Sequence, residues 1–193
     1  MQFNGFRPTR MINGSTTLPQ TEYWVIANSV TIKEGMPVKV LSEQGVDIAD
    51  AVTDKIYGYC TGFRLKGGLP VSRGVSGTDY DGTYTASPSG DTYVASADNE
   101  TDKQVEAIIC PAKDVVCSAL LSAAAGSTTG SDIVGTYFDI LTTNALKIDE
   151  STASTTSANY MAVPGLNSRN PKDPADPTTT RILVLAKEIW QQD

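Results

Sequence analysis

The sequence predicts an all-β fold, a barrel- or sandwich-like body with an extended N-terminal arm. Charged residues make up only 19% of the 193 residues. Short β-branched and aromatic runs recur between clusters of Gly, Pro, Asn and Asp, which is typical of β proteins with many turns. A chain of this length buries about 70% of its unfolded surface, so it needs no disulfide or metal to be stable.

Residues 1–21 form the predicted arm. They contain glycines and prolines but no periodic apolar pattern long enough for a strand or a helix. We therefore assign residues 22–193 to the β body. Within it, the Ser-, Thr- and Ala-rich stretch 151–157 is too polar to bury a face, so we expect a loop or linker there and a candidate division of the body.

Strand signals follow at regular spacing through the first half of the body. Runs of β-branched and aromatic residues predict strands at 22–27, 37–41, 55–65, 93–97 and 104–110. Gly58 and Gly62 lie inside one of these runs and indicate a bulge or a bend. Asp81-Gly82 is typical of a hairpin turn.

A helix competes with a strand only at residues 115–125. Val116, Leu120 and Ala124 have helical spacing, but the β-branched start of the segment favours a strand followed by a turn. Further strands are predicted at 137–141, 146–148, 161–166 and 181–190. The apolar run 182–186 predicts a last strand that is covered on both faces, whereas three prolines prevent a regular ladder over 170–177.

The composition excludes several classes of function. The chain has no His and a net charge of −7, so it cannot form a Ser-His-Asp or Cys-His nucleophilic site or a His-ligated zinc site. No phosphate-binding or nucleophile-elbow motif occurs, and we predict no enzymatic activity, cofactor or metal. The acidic balance argues against a nucleic-acid partner. With no signal peptide and no apolar run of about 20 residues, we expect synthesis in a cytoplasm and no membrane partner.

Cysteines and carboxylates have structural interpretations. Cys60, Cys110 and Cys117 form no metal-binding or disulfide pattern, so we predict that they are small buried hydrophobic residues. The segment 79–82 begins like a calcium-binding loop but lacks the later acidic ligands, and a plain hairpin turn is favoured.

Five tyrosines allow two interpretations, an aromatic surface that stacks on sugars or the half-buried face of a sheet, where Tyr is common. They are Tyr57, Tyr59, Tyr80, Tyr84 and Tyr93. The second interpretation is favoured.

Three parts of the chain contain motifs in a characteristic order. In residues 4–15 a Gly-x-x-Pro segment leads into Asn-Gly-Ser. Residues 26–29 and 35–38 give a first strand, a small polar connector and a Gly-Met-Pro-Val strand. Residues 135–139 and 147–156 give an Ile-Asp-Glu-Ser-Thr-Ala stretch before the closing apolar strands. In this order and spacing they resemble the capsid decoration, or cement, proteins of tailed bacteriophages.

The resemblance implies a structural virion protein on the outer capsid surface, where it would clamp neighbouring major capsid subunits. An extended arm of about 20 residues reaches roughly 65 Å, well beyond the ~16 Å radius of gyration of such a body, and we expect it to order on binding. The candidate contact residues are Phe3, Phe6, Arg7, Arg10, Met11 and Ile12. Self-association is expected, as a trimer rather than a dimer. The alternatives are a head-fibre or tail-adaptor protein and a carbohydrate-binding surface protein of the virion.

Overall fold

A computed structural model describes residues 5–41, 45–68, 71, 82–101, 105–122, 135–154, 159–163 and 181–187. These residues form fourteen strands: β1 Arg7–Met11, β2 Glu22–Val25, β3 Thr31–Lys33, β4 Pro37–Leu41, β5 Gly45–Ile48, β6 Gly58–Leu65, β7 Thr83–Thr85, β8 Thr92–Val94, β9 Val105–Pro111, β10 Val115–Leu121, β11 Tyr137–Ile140, β12 Lys147–Ser154, β13 Tyr160–Ala162 and β14 Arg181–Ala186. The predicted all-β class is confirmed.

Among the described residues there is no helix long and apolar enough to cross a membrane.

The largest sheet has six strands and closes on itself. Its order is β1-β10-β12-β11-β13-β14, and β14 pairs back onto β10. One edge of β10 is shared, because β1 pairs with its first half and parallel β12 pairs with Leu120 and Leu121. All seven residues of β10 are buried, so this strand lies at the centre of the fold.

The second sheet has five strands in the order β2-β9-β6-β4-β5. Its two edges meet in a parallel bridge between Ile26 and Val46, where the Ala27 N–H donates to the Val46 carbonyl at 3.0 Å. The sheet is therefore a closed barrel. The predicted bulge is confirmed, because the β6–β9 register shifts between Cys60 and Gly62. A small third sheet has the order β3-β8-β7.

Two apolar clusters fill the interior. The larger one contains residues of both large sheets, among them Tyr59 of β6 and Tyr160 of β13. The smaller one fills the five-stranded barrel and packs against the third sheet. The buried Asn99 closes that barrel, since its amide donates to the Ile26 carbonyl at 2.6 Å and its oxygen accepts from the Val105 N–H at 3.2 Å. Because the larger cluster is shared, the two large sheets stabilise one another.

Most of the predicted strands are confirmed, with four corrections. The strand of 115–125 is confirmed as β10, and β10 rather than β14 is the strand covered on both faces, since three residues of β14 are only half-buried. The prediction that residues 1–21 contain no strand is wrong over Arg7–Met11, because pairing with β10 holds this polar stretch extended. Residues 151–154 belong to β12 rather than to a loop, and Ser154 pairs in register with Tyr137 of β11. Strands β3, β5 and β7 were not predicted, since each has only three or four residues. The predicted turn residue Asp81 and the stretch 170–177 lie outside the described residues.

Candidate functional site

The N-terminal segment carries the residues that the resemblance assigns to partner contact, and the structure buries one of them. Phe6 is 1% exposed. Its ring stacks between those of Tyr160 at 4.7 Å and Tyr59 at 5.6 Å. The expectation that Phe6 anchors onto a partner is therefore wrong in this structure, because its ring already joins the two large sheets. Phe3 lies outside the described residues.

The next residues form a tight turn that separates a partly buried side chain from an exposed one. Met11 packs against the larger core cluster, and its N–H donates to the Ser15 carbonyl at 2.7 Å. The Ile12 N–H donates to the Asp114 carbonyl at 2.8 Å, which fixes the backbone while the Ile12 side chain stays 50% exposed. Leu18, further along, is 36% exposed. Met11 is thus a core contact and Ile12 is accessible.

Positive charge flanks the start of β1. Arg7 is exposed and pairs in register with Ser118 of β10. The Arg181 guanidinium lies beside the same serine, donating to its Oγ at 2.8 Å and to the Gly5 carbonyl at 2.6 Å. Burial, and next the charge of Arg7, lower the pKa of Arg181 to about 10. Arg10 is half-buried on the same strand. We call the exposed Arg7, Ile12 and Leu18, together with the half-buried Arg10, the N-terminal surface.

The tyrosines do not form the alternative sugar-stacking surface. Tyr57 is 9% exposed, and Tyr59 and Tyr93 are 0% exposed, so three of the five rings are interior. Tyr84 is half-buried and its hydroxyl donates to Asp91, while Tyr80 lies outside the described residues. Sugar binding through the described tyrosines is therefore not supported, because three of these four rings pack in the core and the fourth is half-buried.

Sequence reasoning missed an exposed aromatic residue on the five-stranded barrel. Tyr23 is 46% exposed, and the Arg64 guanidinium carbon lies 3.2 Å from its ring centroid. The Arg64 Nε donates to Glu106 at 2.7 Å. These side chains come from the adjacent strands β2, β6 and β9. Glu22–Val25 has three consecutive apolar residues and no alternation, so no sequence pattern indicated that Tyr23 is exposed.

The titratable groups have structural environments. The predicted burial of all three cysteines is confirmed, and they are free thiols. Burial raises the pKa of Cys60 to about 12 and that of Cys110 to about 11, so both are protonated and weakly nucleophilic at neutral pH. Asp139 and Asp149 are register partners across β11 and β12, and burial, then the Asp149 charge, raises the pKa of Asp139. In the part of the chain that the structure describes, no three His, Cys, Asp or Glu residues are grouped to hold a metal.

Comparisons with protein-family models, with curated proteins and with solved structures give no match. The likeness to capsid decoration proteins therefore depends on the motifs of the sequence alone.

Proposed function

We propose that this protein is a structural virion protein that binds the outer surface of a phage capsid and stabilises it by joining neighbouring major capsid subunits. The order and spacing of the three decoration-like segments support this proposal. The observation that carries it is the placement of Ile12: its backbone is fixed by the turn at Met11, yet half of its side chain is exposed directly after β1, the strand that contains Arg7 and Arg10.

The structure changes how such a contact would work. A flexible arm loses conformational entropy when it orders on its target, whereas the N-terminal surface is already held by β10 and by the core. A preformed contact avoids most of that cost. Binding would therefore depend on the shape of the folded body near residues 7–18, and less on the reach of a 20-residue arm.

Charge and repetition support the same role. The net charge of −7 would make decorated particles repel one another at low salt, while Arg7 and Arg10 provide local positive charge for shell carboxylates. Arg is enriched among the few residues that carry most of the binding energy of protein interfaces. Many equivalent sites on a shell let weak contacts sum to firm retention, and self-association as a trimer would add to this.

Imaging of particles that carry this chain tests the proposal. Density for the β body on the outside of the head, at junctions between capsid subunits, is the expected result. Density on the tail would overturn the capsid role in favour of a tail-adaptor protein. Head density that contacts the shell through another face would keep the function but exclude the N-terminal surface as the contact.

A further inference from the structure

β1 is joined to the rest of the fold in an unusual way. Among the described strands it pairs with β10 alone, and it is followed by residues 12–21, which form no strand. The next strand, β2, belongs to the other large sheet. β1 is therefore separated from β2 by a connector and held to the described sheets through β10.

The site that β1 occupies, along the edge of β10, makes specific contacts with β1 and the residues just before it. Phe6 fills the gap between the rings of Tyr59 and Tyr160, its N–H donates to the Gly35 carbonyl at 2.9 Å, and Arg181 holds the Gly5 carbonyl at 2.6 Å. Without β1, the first half of one edge of the fully buried β10 would lose its ladder and the pocket of Phe6 would be empty. Such an edge and pocket must be filled.

We propose that the occupant can be β1 of a second copy of this chain, so that the protein self-associates by exchanging β1. Every contact described above is available unchanged in a neighbouring copy, which is the condition for strand exchange. Residues 16–21, which follow the turn between Met11 and Ser15, span at most about 20 Å when extended, comparable to the ~16 Å radius of gyration expected for the chain. This inference is independent of capsid binding.

The register offers a direct test. Pro8 of β1 and the native Cys117 of β10 are register partners, and partners in an antiparallel pair are about 4.5–5.5 Å apart between Cα atoms, within the range for a disulfide. A Pro8→Cys variant can therefore link β1 to the β10 on which it lies. Two thiols would lose two electrons and two protons to an added oxidant, such as copper phenanthroline, and form one S–S bond.

Isotope-labelled and unlabelled batches of the full-length variant are mixed, refolded together at high concentration, oxidised and digested. With exchange, close to half of the peptides that join position 8 to Cys117 combine a heavy and a light chain, and a covalent dimer is seen without reductant. Linked peptides that are only heavy–heavy or light–light would overturn the proposal. Pro8→Ser is the matched control and forms no such link.

The unmodified chain provides a second measurement that does not require the variant to fold. Native mass after refolding at high concentration should show an oligomer that persists on dilution and contains both isotopes. A chain that is strictly monomeric after refolding at every concentration would overturn strand exchange, whatever the outcome on capsids.

Discussion

The rings of Phe6 and Tyr160 stack with their centroids 4.7 Å apart and their planes at 24°. Phe6 precedes the first strand of the chain, and Tyr160 begins β13 in the closed six-stranded sheet. On its other side Phe6 meets Tyr59 of the five-stranded barrel. One side chain near the N-terminus therefore joins the two large sheets, so the beginning of the chain contributes to the core.

Phe6→Ala should lower the free energy of unfolding by about 3–5 kcal/mol, because it removes a buried ring and leaves a cavity between two tyrosines. Urea unfolding followed by circular dichroism measures this. Tyr160→Phe is the matched control: it keeps the stack and removes a buried hydroxyl that has no hydrogen-bond partner among the described residues, so its cost should be near zero. A loss below about 1 kcal/mol for Phe6→Ala, as for a surface substitution, would contradict the role assigned to this ring.

Gly45→Ala should be one of the most damaging small substitutions in the barrel. Gly45 has φ +86, and a Cβ there would lie 2.2 Å from the Val25 carbonyl oxygen, at the point where the two barrel edges meet. Gly14→Ala is the control, because Gly14 has φ +88 but nothing within 4 Å of an added Cβ. The left-handed backbone alone costs roughly 1–2 kcal/mol, and the clash should bring Gly45→Ala to about 3 kcal/mol or more. If urea unfolding shows the same decrease in unfolding free energy for Gly45→Ala and Gly14→Ala, the two barrel edges can move apart at little energetic cost.

The local pattern predicted the strands that have strong signals, and β10 is the best example. Val115, Val116 and Cys117 favour a strand over a helix on β-propensity alone, and the structure confirms it. β1 could not be predicted in this way. Its sequence is polar and contains Pro8, and its only ladder is with a strand more than 100 residues away.

The candidate site shows the same limit. The tyrosine pattern could not separate a core from a binding surface, because the burial of Tyr59 depends on Phe6 and Tyr160 meeting it from distant parts of the chain. The exposure of Ile12 likewise depends on a turn fixed by Asp114. Motif order pointed to the N-terminal segment, but only the fold separates its core residues from its accessible ones.

Stability should fall as pH rises above about 9. Burial raises the pKa of Cys60 from 9.0 to about 12, so between these values the unfolded chain loses a proton that the folded chain keeps. The stability contributed by this thiol is complete below pH 9 and is lost as pH rises towards 12. Cys60→Ala should flatten the dependence of the unfolding free energy on pH by at most about 1.4 kcal/mol per pH unit. Identical slopes of the unfolding free energy against pH in the parent protein and in Cys60→Ala would refute this prediction. Thr61→Ala is the control and should leave the slope unchanged.

Asp139 should show a pH dependence of the same sign, but in the acidic range. Its folded pKa is raised above 3.8, by burial first and by Asp149 second, so the folded state binds its proton more tightly than the unfolded state. Its ionisation therefore opposes folding as pH rises above about 4. Asp149→Asn should lower the pKa of Asp139, measured from side-chain carbon shifts in an NMR titration, without returning it to the ordinary value, because burial remains. Asp47→Asn, on β5 of the other sheet, should leave that pKa unchanged; an unchanged value in Asp149→Asn would mean that burial alone causes the shift.

On the proposed capsid role, Ile12→Ser should weaken binding to purified undecorated phage heads by about tenfold or more, the loss expected when a hot-spot contact worth over 1 kcal/mol is truncated. Co-sedimentation of purified protein with heads, over a range of protein concentrations, measures the change. Val52→Ser is the matched control, because Val52 is 49% exposed against 50% for Ile12 and lies in a loop outside the N-terminal surface. Both variants should unfold at the same urea concentration as the parent, because neither side chain is buried. If both variants bind heads as tightly as the parent protein, Ile12 is excluded as a contact. If both variants lose binding completely, the contact surface is broader and includes the loop around Val52.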